Sequence, residues 1–119
     1  MQVKNIEKNF TISEQITIED IKTLAEMDVK VLICNRPEAE EPNQITNEQI
    51  IKETSSFGIK FVHIPSPGRE IPPNSLDLFI KTLGEKKRKT HAYCRTGIRS
   101  SIFWELMQKS IMDHPNCTK

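Results

Sequence analysis

Short apolar runs alternate along this chain with longer segments whose apolar residues recur every three or four positions. "VKVLIC" at 29–34 is continuous and rich in β-branched residues, the pattern of a strand buried on both faces, and "IKFVHI" at 59–64 reads as the next strand. "THAYC" at 90–94 is a third, shorter run. Between them, Ile18, Ile21, Leu24 and Ala25 fall on one face of a helix that Thr17 enters as cap, with Asp20 in the place of a capping-box acid. Thr46 caps a second helix, "NEQIIKETSSF", which Gly58 stops. Leu76, Phe79, Ile80 and Leu83 mark a third, ending near Gly84, and "SSIFWELMQKSIM" a fourth, beginning near Ser100. "FTISEQI" at 10–16 adds an edge strand. Two segments are loops: "NRPEAEEPNQ" after the first run, and "PSPGREIPPN", where four prolines exclude regular structure.

This βαβαβ-like order predicts an α/β fold: a central, mostly parallel sheet of four to five strands flanked by helices, with ligands at the carboxyl ends of the strands. At 119 residues the chain makes one domain, 1–119, with its core over about 10–112. Seventeen basic residues against sixteen acidic ones give no global field for nucleic acid or for an anionic membrane, so neither is expected as a partner. No window has the length of a membrane span, and "MQVKNIEKNF" lacks the apolar region of a secretory signal, which makes the cytoplasm the expected location. Cys34, Cys94 and Cys117 form no C-x-x-C pair and leave one over, a reduced-compartment pattern.

One cysteine changes the picture. Cys94 ends an apolar run and is followed by "RTGIR" and then a helix. A loop turning from strand to helix directs successive N–H groups inward, forming a nest at a helix N-terminus. Gly97 permits the positive φ that closes such a turn. An anion there would meet the peptide donors of Arg95, Thr96, Gly97 and Ile98, the helix dipole and the Arg99 guanidinium. Thiols in such settings have pKa values lowered to roughly 3.5–7.5, and the thiolate is the nucleophile. Cys94 is therefore read as nucleophile, Arg99 as the cation on the bound anion, and Ser100 as a hydroxyl that can donate to the sulfur and improve it as a leaving group.

"YCRTGIRSS", "NRPEAEEP" and "FVHIPSPGREI" together resemble the phosphatase-like domain of beta-lactamase-hydrolase-like proteins, over nearly the whole chain. The resemblance implies a fold like that of dual-specificity protein phosphatases. It also implies a family labelled variously as phosphatases and sulfur transferases, occurring alone or fused to persulfide-dioxygenase-type enzymes, so that a persulfide-metabolism protein is an expected partner. Its loop motif falls on Cys94, Gly97, Arg99 and Ser100. Tyrosine phosphatases place five residues between cysteine and arginine. Here there are four, as in rhodanese-type sulfur transferases, and a tighter ring suits a sulfane sulfur. Phosphatases also supply an acid from a separate loop. The corresponding "PSPGREIPPN" holds no Asp, and Glu70 is the carboxylate a phosphatase would have to use.

The expected function is thus sulfane-sulfur transfer through a Cys94 persulfide, on a small anionic substrate such as thiosulfate or a persulfide. The alternative is hydrolysis of a phosphoester through a phosphocysteine, and the third reading a non-catalytic anion-binding or redox-sensing module. Arg36, beside Asn35, is expected to brace the loop through an ion pair with Glu40 rather than bind the anion. His91 is turned away from Cys94 by strand alternation and is structural, Cys34 belongs to the core, and Trp104 does too, with its neighbour Phe103 placed to line the pocket mouth. His63 and His114 have no ligand spacing to the cysteines, so neither metal nor cofactor is expected. Arg95 faces out and recruits an anionic substrate, and "EKKRK" at 85–89 is a solvated helix end.

Overall fold

The computed structural model of the chain describes residues 1–84 and 88–113; His114, Cys117 and the first three positions of "EKKRK" lie outside the described residues. Among the described residues nine elements follow one another: β1 (Lys4–Glu7), β2 (Phe10–Ser13), α1 (Ile18–Glu26), β3 (Val31–Cys34), α2 (Asn47–Ser56), β4 (Lys60–His63), α3 (Pro73–Leu83), β5 (Thr90–Tyr93) and α4 (Ile98–Asp113). Helices α1 and α2 each begin with a complete capping box, Thr17 with Asp20 and Thr46 with Gln49, which satisfies two otherwise orphaned amides at each start. Gly58, at φ 70°, ends α2 in the left-handed conformation that a Cβ disfavours. Helix α4 starts at Ile98, two residues before the expected Ser100, so Arg99 lies in its first turn.

The five strands form one sheet in the order β1-β2-β5-β3-β4, parallel except for the β1–β2 pair. This is the expected α/β architecture with one correction. The "FTIS" strand β2 is not an edge but lies second in the sheet, buried along its length, between β5 and the outermost β1. Strand β1, "KNIE", carries one apolar residue and is mostly exposed, so it has no hydrophobic signature; pairing with β2 makes it a strand. Side chains alternate across the sheet and divide the core in two. Phe10, Ile12, Ile33 and Ala92 pack under Phe79 of α3 and Phe103 and Met107 of α4, while Leu32, Cys34 and Tyr93 pack under Ile21 and Leu24 of α1 and Ile50 of α2. Trp104 is half-buried and stacks on Phe10, ring centroids 4.5 Å apart.

The α1–α2 side of the sheet also buries His91 between Thr11 and Ser13, with Nδ1 and Nε2 each 2.7 Å from a hydroxyl. Ser13 Oγ donates its own proton to the Glu14 carbonyl at 2.8 Å, so it accepts from His91 Nε2–H, and Nδ1 accepts from Thr11. Both ring nitrogens are satisfied with the imidazole neutral, and burial pushes its pKa down to about 4. Tyr93, on the same face, points its hydroxyl toward the Cys34 sulfur and finds no hydrogen-bond partner of good geometry. Burial raises both groups, keeping phenol and thiol protonated.

Two measurements follow from this polar face. Below the ordinary histidine value of 6.5 the unfolded chain gains a proton that folded His91 refuses down to about 4. His91 should therefore withdraw on the order of 3 kcal/mol of stability as pH falls across that interval. Denaturant melts of His91→Gln should show a flatter dependence there than the parent. Tyr93→Phe removes a hydroxyl whose burial is uncompensated, and it should leave stability unchanged or raise it by about 1–3 kcal/mol in the same melts.

Candidate active site

Strand β5 delivers Cys94 to the carboxyl edge of the sheet, where the chain turns through residues 95–97 into α4. The turn depends on Gly97, which sits at φ 95°, a conformation that strains any residue with a Cβ. With that φ its amide points back into the turn and donates to Cys94 Sγ at 3.1 Å. Among the described residues the amides of Arg95, Thr96, Arg99 and Ser100 have no protein acceptor, as expected for a loop that opens a helix. Cys94 itself is fully buried, with its sulfur at the floor of the turn.

Arg99 closes the opposite side, and what fixes it comes from two other loops. Its Nη1 donates to Glu40 Oε2 at 2.8 Å and to the Ser66 carbonyl at 2.9 Å, and its Nη2 to Glu40 Oε1 at 2.9 Å. Three of its five N–H bonds are thus used, leaving Nε–H and one on Nη2. Bonding to Glu40 is the main reason its pKa is raised, against the opposing effect of burial, and the Cys94 sulfur beside it adds to the rise. Glu40 also accepts from Arg36 Nε at 2.9 Å, so one carboxylate joins two guanidinium groups. Hydrogen bonds from Arg99 and then Arg36 outweigh desolvation and hold its pKa down to about 2.

Arg36 is a brace in this arrangement. It is buried, and besides Glu40 it donates through Nη1 to Gln15 Oε1 at 3.0 Å and pairs through Nη2 with Glu41 at 3.0 Å. Ala39 makes the geometry available. It adopts φ 54°, a left-handed conformation that costs a non-glycine residue about 1–2 kcal/mol. Around it Glu38 turns to the first amide of α2, at 3.0 Å from Asn47 N, while Glu40 turns to the arginines.

Asn35 and Ser100 tie the cysteine loop to the sheet. Asn35 Nδ2 donates to the Ile64 carbonyl at 2.9 Å, which directs Oδ1 at Ser100 Oγ, 2.8 Å away. Ser100 therefore spends its one proton on Asn35, not on the Cys94 sulfur as its position in the sequence suggests. Ser66, whose carbonyl holds Arg99, donates its own amide to the Asn35 carbonyl at 3.2 Å.

The other expected residues form the rim. Arg95 has a side chain 63% exposed and pairs with Glu41 at 2.8 Å; Thr96 and Ile98 are exposed as well. Glu70 stands exposed on the 65–72 segment, which Ser66 steadies by donating to the Gly68 carbonyl at 2.7 Å. A cavity of about 600 Å³ lies behind the loop, between β1, β2 and α4, with Thr96 and Gly97 in its wall; neither Cys94 nor Arg99 lines it. No group of three or more histidine, cysteine or carboxylate side chains that could hold a metal ion occurs among the described residues. The sequence reading missed Gln15, Glu41 and Ser66. A second glutamate beside Glu40 was a usable signal for Glu41, whereas Ser66 acts through its backbone and leaves none.

The shared carboxylate generates a prediction. Glu40 is ionised in the fold down to about 2, against an ordinary 4.5, so its contribution to stability is complete above about pH 5 and disappears as pH falls toward 2. Glu40→Gln should be less stable than the parent at pH 7, and the gap between their denaturation midpoints should close over that acid interval. A gap independent of pH would remove the ion pair as its cause.

Comparison with known proteins agrees with this geometry. The family model for the phosphatase-like domain of beta-lactamase hydrolase-like proteins matches residues 2–111. A beta-lactamase hydrolase-like protein of Agrobacterium fabrum (strain C58 / ATCC 33970) is 28% identical over 106 residues, 89% of this chain and 25% of that protein. The chain thus spans about a quarter of the length of the curated relatives it matches. The crystal structure of a candidate phosphatase from Neisseria meningitidis Z2491 superposes with a TM-score of 0.79 at 32% identity, covering 87% of this chain and 74% of that one. Another, from Shewanella putrefaciens CN-32, gives 0.77 at 18% identity over 89% and 66%, a likeness of fold. With a cysteine loop at the sheet's carboxyl edge, this fold and a match over nearly its full length, the chain belongs to the family of phosphatase-like domains of beta-lactamase hydrolase-like proteins.

Proposed function

We propose that the domain is a cysteine-dependent phosphatase that transfers a phosphoryl group from a small anionic substrate to Cys94 and then to water. The observation that carries this reading is the convergence on one sulfur of the Gly97 amide and an arginine already fixed in place by Glu40. The Cys94 sulfur attacks phosphorus, and the oxygens of the phosphoryl group are met by the loop amides and by the two N–H bonds of Arg99 that Glu40 and Ser66 leave over. Water then attacks the phosphocysteine and restores the thiolate. Asn35 and Ser100 take no part in bond making; they hold the start of α4 against the end of β3, which keeps the amides aimed. The reaction needs a reduced sulfur, and a cytoplasmic setting suits it.

Sulfane-sulfur transfer through a Cys94 persulfide is the second reading, favoured by the four residues between Cys94 and Arg99 and by the absence of aspartate from the 65–74 segment. A protein of persulfide metabolism would be its acceptor or donor.

Side-by-side turnover of an aryl phosphate and of thiosulfate separates the two. Aryl phosphate hydrolysis should be abolished by Cys94→Ser and reduced about 10³-fold by Arg99→Ala. Glu40→Gln, which loosens Arg99 without removing it, should cost about 100-fold. Thiosulfate-dependent gain of one sulfur on Cys94, with no phosphate release, would instead establish the sulfur chemistry.

A further inference from the structure

The carboxylates around the mouth of the loop decide what kind of bond can break there. Expelling an alkoxide or phenolate requires a carboxyl that still holds a proton near neutrality. Glu38 accepts the amide of Asn47, and Glu41 lies between Arg36 and Arg95. Glu40 is bound by two guanidinium groups and ionised down to about 2. All three are already engaged as acceptors, by a backbone amide or by guanidinium groups. Glu70 stands exposed to water on the 65–72 segment. A leaving group must therefore depart as a stable anion.

The rim supplies a cation for such an anion. Arg95 is next to the nucleophile in sequence and is mostly exposed, and Glu41, itself exposed and shared with Arg36, is its partner. Solvated pairs of this kind are weak, and a phosphate offers a guanidinium a stronger, bidentate contact.

Resting on the phosphoryl-transfer reading, we propose that the substrate is a phosphoanhydride: Cys94 takes the terminal phosphoryl group of a diphosphate, and Arg95, released from Glu41, binds the phosphate that departs. The Cys94 thiolate forms an S–P bond as the bridging P–O bond breaks. The electron pair of that bond stays on the bridging oxygen, which leaves as part of a phosphate anion and needs no proton from the protein. In the second step water forms a P–O bond, the S–P pair returns to sulfur, and inorganic phosphate leaves with the proton of the water lost to solvent.

The test uses the whole chain with inorganic diphosphate and a series of aryl phosphates from p-nitrophenyl to phenyl, Cys94→Ser serving as blank. Without an acid, kcat/KM should fall about tenfold for each unit by which the phenol becomes more basic, and this slope should be the same in Glu70→Gln. Diphosphate should be cleaved at least about tenfold more efficiently than phenyl phosphate, and Arg95→Ala should reduce the ratio of diphosphate to p-nitrophenyl phosphate turnover by about tenfold. A shallow slope that Glu70→Gln makes steep, or a diphosphate ratio unmoved by Arg95→Ala, overturns the inference while leaving the phosphatase reading intact. Absence of Cys94-dependent phosphate release from every one of these substrates overturns both.

Discussion

One carboxylate organises this site. Glu40 is held by Arg36 from beneath and grips Arg99 with both oxygens, so the guanidinium facing the cysteine is fixed before any ligand arrives. A free arginine would have to give up rotamer freedom and order itself around each incoming anion. The planar fork against a planar carboxylate removes that cost and still leaves two N–H bonds for a ligand. The arrangement has its own expense, carried by Ala39 at φ 54° and by a buried Arg36 that needs Gln15, Glu40 and Glu41 together. Backbone strain and a buried charge are concentrated beside the cysteine loop, where an arrangement useful for binding repays them.

How much of this was legible in the chain depended on contiguity. Cys94, Gly97 and Arg99 lie within six residues, and a strand-to-helix turn forces their amides and side chains onto one point, so pattern and geometry coincide. The three strands with apolar runs, β3, β4 and β5, could be read for the same reason. Arg36 with Glu40 is an i, i+4 pair inside one loop, so its bracing role is legible from spacing alone. The clamp on Arg99 spans 59 positions, and no local pattern announces it. Strand β1 was invisible because an outer strand needs only hydrogen bonds from β2, not an apolar face. Ser100 shows the limit of motif reading: beside the loop its hydroxyl looks destined for the sulfur, but Asn35, anchored on Ile64, presents an acceptor that takes its proton.

The same facts bear on the choice between sulfur and phosphoryl chemistry. A loop of four intervening residues and a 65–74 segment without aspartate favour sulfur, because sulfite and thiolates leave without protonation. Family membership and the likeness to a candidate phosphatase at 32% identity favour phosphorus. The two lines conflict only if the phosphorus substrate is an ester of a basic alcohol. A phosphate leaving group meets both conditions, since it departs as an anion and comes from a phosphoryl donor. Loop length is the weaker of the original discriminators, because Gly97 at φ 95° bends the turn enough to aim its amide at the sulfur with one residue fewer.

Charge balance supplies the last constraint. Arg36, Arg95 and Arg99 would together present three positive charges to a ligand, yet Glu40 and Glu41 neutralise two of them through four ion pairs. An uncompensated triad would hold substrate and product phosphate equally well, and uniform binding of that kind lowers KM without raising kcat. In the paired arrangement the strong, permanent contact is spent on positioning Arg99. The solvated Arg95–Glu41 pair is the one a ligand can exchange. On the phosphoanhydride proposal, re-forming that pair would compete with the departing phosphate for Arg95 and so favour release of the first product. A site that tethers one arginine tightly and another loosely can thus bind the reacting group firmly and let the leaving group go.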